Sequence, residues 1–295
     1  MKDLSFVATK RLESKCAFGE SKAKYKEEAK QLAAKKGTSD WLPIFNELIR
    51  NKIFSYSSYK TYVKQSTLFC NYIQEKHPSI RNLNGAKRYI AEYINTFDSA
   101  WTQATKLAAL AKVYGVTSTD LMVLPKRKRE DIYKNRFATT REETISYGNN
   151  KETIDFCLHT GLRRFELEHI KGRDYFEDNN NSYIKVKGKG GKIRDVIITD
   201  PAIIQLLKST PKDCLVFGKV NSHLPIHKYR AQYATNLYKS LARPIEQVPM
   251  NERYYCRLDR AGDVFDKKAM AVVSKNLGHN RLSVIAGHYL RNYKI

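Results

Sequence analysis

The stretch Leu124-Pro125-Lys126-Arg127-Lys128-Arg129 constrains this chain more than any other. Proline breaks a helix, and four consecutive cations cannot enter a core unpaired. The run therefore divides 295 residues into two parts, each of ordinary domain size. We read residues 125–137 as a basic linker. Residues 38–124 form a helical domain before it, residues 138–295 a second domain after it, and residues 1–37 a basic leading segment.

Helical periodicity dominates the first part. Trp41, Ile44, Phe45, Leu48 and Ile49 make one stripe, and Tyr59, Tyr62, Val63, Phe69, Tyr72 and Ile73 a second. Tyr89, Ile90, Tyr93, Ile94 and Phe97 make a third, and Trp101, Leu107, Leu110, Ala111 and Tyr114 a fourth. Breaks fall at Ser55 to Ser58, at His77-Pro78-Ser79 and at Asp98-Ser99. The spacing predicts a small bundle whose aromatics pack inward. Residues 1–37 are lysine-rich, with one helix from 22 to 36 stopped by Gly37. That segment reads as a solvated helix or a frayed end.

The second part mixes periods. Thr140-x-x-Glu143 has the form of a capping box. A helix through residues 153–158 ends at Gly161, which leaves Arg163 just past it. Residues 183–186 and 193–198 are β-branched and apolar, and Lys187-Gly188-Lys189-Gly190-Gly191-Lys192 between them reads as a hairpin tip. Asp200-Pro201 starts a helix, with aspartate as the cap. The expected fold is mainly α with a small β-hairpin or sheet: an N-terminal helical bundle followed by a mixed α/β domain.

Lys and Arg number 53 against 30 Asp and Glu, a net charge of +23. An excess of that size implies a polyanionic partner, and nucleic acid is the leading one. No basic amphipathic anchor or membrane-spanning run stands out, so no membrane partner is expected. Five scattered cysteines without a Cys-x-x-Cys pair argue against a zinc ribbon and a disulfide framework. We expect a soluble cytoplasmic protein associated with DNA.

The chemistry-bearing residues of the second part suit a phosphodiester. Its pentavalent transition state gathers negative charge on the non-bridging oxygens. Arginine answers that charge best, because its planar fork binds two oxygens and stays protonated. Arg163 lies in Thr160-Gly161-Leu162-Arg163-Arg164-Phe165-Glu166-Leu167, and Arg230 in His227-Lys228-Tyr229-Arg230. Glu166, one helical turn after Arg163, can orient a cation. Lys189, at the hairpin tip, can protonate a departing oxygen, with Lys187 and Lys192 as fallbacks. His227 shares a helix face with Arg230 and can shuttle a proton. His279 follows Leu277-Gly278, and Tyr289 follows ten residues later, after the small residues Ala286 and Gly287. A phenol titrates near about 10 in water, so it needs a cationic site or a base to attack. Tyr293, Tyr254 and Tyr255 are rival nucleophiles.

In residue types, order and local context, this set resembles the tyrosine recombinase (phage integrase) family. Thr-Gly-Leu-Arg-x-x-Glu-Leu is similar to that family's first box, His-x-x-Arg to its second, and Leu-Gly-His followed by tyrosine to its end. The resemblance covers about residues 38–295, the first half in character only. It implies a recombinase catalytic domain and site-specific strand exchange, as in integrases of mobile elements. Tyr289 would be the nucleophile, with Arg163, Arg230, Lys189, His227 and His279 catalytic and Glu166 supporting. Duplex DNA would be clamped between the two domains, touched by Lys126, Arg127, Lys128, Arg129, Lys187 and Lys192. It further implies a 3′-phosphotyrosyl intermediate with neither metal nor ATP, a homotetramer on two duplexes, and an accessory DNA-bending factor. Rival readings are a type IB topoisomerase-like enzyme, a DNA-binding protein without catalysis, and a telomere resolvase-like hairpin former. One departure is the 48 residues between Arg230 and His279, longer than usual in the family. The excess, residues 243–266, reads as an insertion that either meets DNA or is a surface loop.

Overall fold

The computed structural model describes residues 3–125, 145–188, 191–257, 260–279 and 281–290, and falls into two compact units, Met1–Tyr133 and Lys134–Ile295. Lys126, Arg127, Lys128, Arg129, Lys189 and the Thr140–Glu143 box lie outside the described residues.

The first unit is helical. Its longer helices are α1 (Leu4–Glu13), α2 (Lys22–Lys35), α3 (Leu42–Ile49), α4 (Tyr56–Lys76) and, after the short α5 (Leu83–Ala86) and α6 (Ile90–Asn95), α7 (Ala100–Tyr114). A further turn, α8 (Ser118–Leu121), closes the unit. Local chemistry sets the boundaries. Ser21, Ser55 and Ser99 cap the starts of α2, α4 and α7 with their side-chain oxygens. Gly115 stops α7 in the left-handed region, with φ of 70°. Leu12, Phe69, Ile73, Ile90, Leu107 and Leu110 meet in one apolar core. Burying each such side chain contributes about 1.5–3 kcal/mol.

One helix departs from the sequence reading. Residues 1–37 were expected to be polar and solvated, yet α1 places Leu4, Ala8 and Leu12 in that core. Their spacing of four puts them on one face. The lysines and arginine around them hide the stripe from a composition average.

The second unit begins with α9 (Tyr147–Thr160) and α10 (Arg164–Leu167). An antiparallel sheet follows, in the order β1 (Tyr175–Asp178), β2 (Asn181–Lys187), β3 (Ile193–Ile198). Ile184 pairs with Val196 and Val186 with Arg194, and Ile184, Val186, Val196 and Ile198 are buried. Strand β1 was not anticipated. It joins β2 through Asn179 and Asn180, with φ of 45° and 61°, the twisted turn that favours asparagine. Helix α11 (Pro201–Ser209) starts on the Asp200 cap, and α12 (Ile226–Leu241) runs through the unit. Residues 243–266 contain a hairpin of β4 (Arg253–Tyr255) and β5 (Val264–Asp266). Arg243 closes the base of this segment on Asp266, at 2.7 and 2.9 Å. Helices α13 (Lys267–Asn276) and α14 (Leu282–Val284) lead into a π-helical turn, Ile285–Tyr289. Among the described residues no helix is long and apolar enough to cross a membrane.

Two apolar clusters fill this unit. One centres on Phe156, Leu162, Ile184 and Val196, the other on Tyr238, Phe265, Val273 and Ile285. Helix α12 joins them, giving Ile226 to the first and Ala231, Tyr233 and Tyr238 to the second. Arg230 therefore sits at their seam.

Candidate active site

The site begins where α9 stops. Gly161 has φ of 59°, and a Cβ there would run into the Tyr233 ring, so both conformation and space require glycine. The turn buries Leu162 and delivers Arg163 to the N-cap of α10. Glu166 folds back on that start. Its Oε2 accepts the Arg163 backbone N–H at 2.7 Å, and its Oε1 accepts Arg163 Nη1 at 2.8 Å. One carboxylate thus caps the helix and aims the guanidinium. Arg163 Nη2 donates to the Leu277 carbonyl at 3.2 Å.

Arg230, on α12, is fully buried. Its Nη1 donates to the Gly161 carbonyl and its Nη2 to the Leu277 carbonyl. Its Nε donates to the Tyr289 hydroxyl at 3.1 Å. Burial pulls its pKa down, yet a guanidinium keeps its charge in a protein. Arg163 and Arg230 thus share one carbonyl, that of Leu277, as a common anchor.

That carbonyl belongs to the turn after α13. Gly278 takes φ of 65°, and the turn closes through His279 N–H to Ser274 O at 2.8 Å and Ser274 Oγ to His279 O at 2.7 Å. It holds His279 Nε2 3.1 Å from the Tyr289 hydroxyl. Burial first, then the charges of Arg230, Arg163, Arg194 and His288, push the His279 pKa down to about 4. The imidazole is then neutral at neutral pH. Arginine has only donors, so the phenol oxygen accepts from Arg230, and its own hydrogen can go to unprotonated His279. Tyr289 is buried at the end of the π-helical turn, where Thr235 Oγ1 donates to its carbonyl at 3.2 Å. Such single π turns recur at functional positions.

Sequence reading missed Arg194. From β3 its Nη1 and Nη2 donate to Glu166 Oε1 and Oε2 at 2.9 and 2.8 Å, and its Nε donates to Asn276 O at 2.7 Å. Burial alone would raise the Glu166 pKa. Hydrogen bonds from Arg194 and Arg163, with the Arg194 charge, outweigh it and hold the carboxyl down at about 2. The signal was strand phase: Arg194 is two residues before Val196 and four before Ile198, on the face that points inward.

Arg163, Glu166, Arg230, His279 and Tyr289 thus form one connected set, with Arg194 behind it. His227 is exposed, one helical turn before buried Arg230. Lys187 ends β2 and Lys192 precedes β3, both exposed. Beside Arg163 lies a cavity of about 960 Å³, whose lining includes Phe165, Lys171, Arg173, Lys185 and Lys187. Arg163 and Arg194 share the one Glu166 carboxylate and Arg230 is held by neutral oxygens, a surplus of positive charge suited to an anionic ligand.

No family model matches the chain. It is 29% identical over 140 residues to the tyrosine recombinase XerH of Campylobacter jejuni, a stretch covering 45% of this chain and only 39% of that protein. In fold it is similar to a XerH site-specific recombinase bound to a palindromic difH substrate in a post-cleavage complex. The TM-score is 0.53 at 17% identity, over 96% of this chain and 91% of the other. The pre-cleavage complex with difH gives a TM-score of 0.50 at 16% identity, over 97% and 93%.

Proposed function

We propose that this chain, which has the tyrosine recombinase fold and resembles that family in sequence, is a site-specific DNA recombinase that cuts and rejoins duplex DNA through Tyr289. The observation that carries the reading is the Tyr289 hydroxyl, 3.1 Å from both Arg230 Nε and His279 Nε2, beside two arginines that both donate to the Leu277 carbonyl.

The scissile phosphate takes its place against Arg163 and Arg230. As Tyr289 loses its proton to His279, its oxygen attacks phosphorus. The P–O5′ bond breaks, leaving a 3′-phosphotyrosyl bond and a 5′-oxygen that Lys189 protonates. The 5′-hydroxyl of a partner strand then attacks the phosphotyrosyl bond and restores the phenol. One phosphodiester is exchanged for another, so no ATP is consumed and no metal is required. His227, at the exposed start of α12, reaches a phosphate oxygen. Lys126, Arg127, Lys128, Arg129, Lys187 and Lys192 track the DNA backbone. Exchange of both strands uses four protomers on two duplexes with an accessory DNA-bending factor, and the reaction moves a mobile element.

The test is a duplex site selected for binding from a random pool, nicked near the cleavage position so that cleavage releases a short strand, and incubated in EDTA. Wild-type protein is expected to give a covalent adduct on a denaturing gel, and Tyr289→Phe none. Arg230→Ala should slow the adduct by about 10²–10³-fold, the usual cost of a lost transition-state donor. Salt-sensitive binding without an adduct would contradict the reading and leave a DNA-binding protein. An adduct with plasmid relaxation but no recombinant product would favour the topoisomerase-like alternative.

A further inference from the structure

We propose that Arg194 is a positioning residue of this site, locking the β2–β3 hairpin, Glu166 and the Leu277-Gly278-His279 turn into one unit and sharing the Glu166 carboxylate with Arg163, so that Arg163 is aimed at a phosphate without being its only counter-charge. The inference rests on the strand-transfer reading above.

Three elements distant in sequence meet on this one guanidinium. It binds Glu166 of α10 through two parallel N–H···O bonds and the Asn276 carbonyl at the end of α13 through Nε. The Arg194 side chain is 8% exposed and that of Glu166 1%. Asn276 ties the same segment to β3 a second time, its Oδ1 accepting the Ile197 N–H at 3.0 Å.

Two glycines make room for it. A Cβ on Gly188 would stand 3.0 Å from Arg194 Nη1 and 3.3 Å from Glu166 Oε1. A Cβ on Gly278 would stand 3.1 Å from Arg194 Cδ and 3.3 Å from its Nε and Nη1. The base of the hairpin and the residue before His279 therefore close over the same side chain. Any shift of the hairpin is felt at the turn that carries His279 and anchors both Arg163 and Arg230.

Glu166 has two oxygens, and Arg194 takes both in a fork. Without Arg194, the carboxylate would be left to Arg163 alone. It would neutralise the guanidinium that the phosphate needs, or accept a proton and release its aim. In this reading Arg194 acts through Glu166 and the turn.

The experiment measures adduct formation on the nicked duplex, at saturating DNA and from pH 5 to 9, for wild type, Arg194→Met, Arg194→Lys and Arg194→Met/Glu166→Gln. Arg194→Met should bind DNA within about threefold of wild type and cleave about 10²-fold more slowly, the usual loss when a supporting partner is removed. It should also gain an acid limb that wild type lacks, because Glu166 then titrates within the range tested. Lysine, one cation without a fork, should restore only part of the rate. The double variant buries no unpaired carboxylate, so it keeps the test open if Arg194→Met fails to fold. It should cleave slowly with no acid limb. Wild-type cleavage matched within threefold by Arg194→Met, or by the double variant where the single does not fold, would overturn this inference alone. So would slow cleavage by Arg194→Met with a pH profile parallel to wild type. Absence of any wild-type adduct would overturn the strand-transfer reading, and this inference with it.

Discussion

Among the described residues, buried Lys106 and half-buried Lys112 of the first unit each hold their acceptors through a single ammonium, whereas the buried Arg230 and Arg194 side chains of the second unit each spread their donors over three acceptors. Lys106 is 6% exposed and donates to Gln65 Oε1 at 3.0 Å and Tyr93 OH at 3.1 Å, with its ammonium 4.1 Å from the Phe97 ring centroid. Lys112 donates to the carbonyls of Ile49 and Arg50, and burial, with Lys15 and Lys22 nearby, pushes its pKa down to about 8. Each is one point charge at the end of an apolar stem, and the stem does much of the packing. Arg230 and Arg194 instead each fix three acceptors on elements far apart in sequence. A lysine of the first kind can be traded for an apolar chain. An arginine of the second kind cannot leave without stranding carbonyls or a carboxylate.

The contrast between the two units is greatest at Glu166. Glu166→Gln leaves two arginines without their anion and should destabilise the second unit by about 3–5 kcal/mol, the range for halving a buried pair. Hydrogen exchange followed segment by segment should show the loss in α9, β3 and α13 and none in α4 or α7. Equal loss in both units would contradict the account. In wild type the Glu166 contribution is complete above its unfolded pKa of about 4.3. It fades as pH falls toward its folded value of about 2.

A smaller effect sharpens the same contrast through His279. Its folded pKa of about 4 lies below the unfolded value of about 6.5. Between those values the unfolded chain holds the extra proton, so stability falls as pH drops through that window and is complete above it. An NMR titration of the imidazole should show a midpoint near 4, shifted upward in Arg230→Met, because Arg230 is the largest charge depressing it. A wild-type midpoint at 6.5 or above would contradict this.

The smallest effect belongs to Lys106. Lys106→Met keeps the stem and removes the charge, and should change stability by less than about 1.5 kcal/mol. A loss above 3 kcal/mol in chemical denaturation, localised by exchange to α4 and α7, would place the lysine with the arginines and end the distinction.

What could be read from sequence follows the same divide. The Gly37 and Gly161 stops, the Asp200-Pro201 start and the two strands around the glycine-rich tip are written in neighbouring residues, and each has its counterpart in the fold. The types in the candidate site were legible too: Arg163, Glu166, Arg230, His279 and Tyr289 were named from local motifs and do meet. Their wiring was not. That one carbonyl at Leu277 anchors two arginines depends on α9, α12 and α13 arriving together. Arg194 escaped for a related reason, since an inward-facing cation on a strand looks like any other lysine or arginine until its acceptors are known. Helix α1 was missed because polar neighbours outnumber its three core residues, and β1 because four residues are too few to show alternation.

The most direct test of the central claim, that Tyr289 is the nucleophile of an arginine-lined site, is peptide mapping of the covalent DNA adduct by mass spectrometry after nuclease and protease digestion. The account predicts a nucleotide phosphate on the Tyr289 hydroxyl, which is in contact with both Arg230 and His279. A phosphate on Tyr293, Tyr254 or Tyr255 would contradict it.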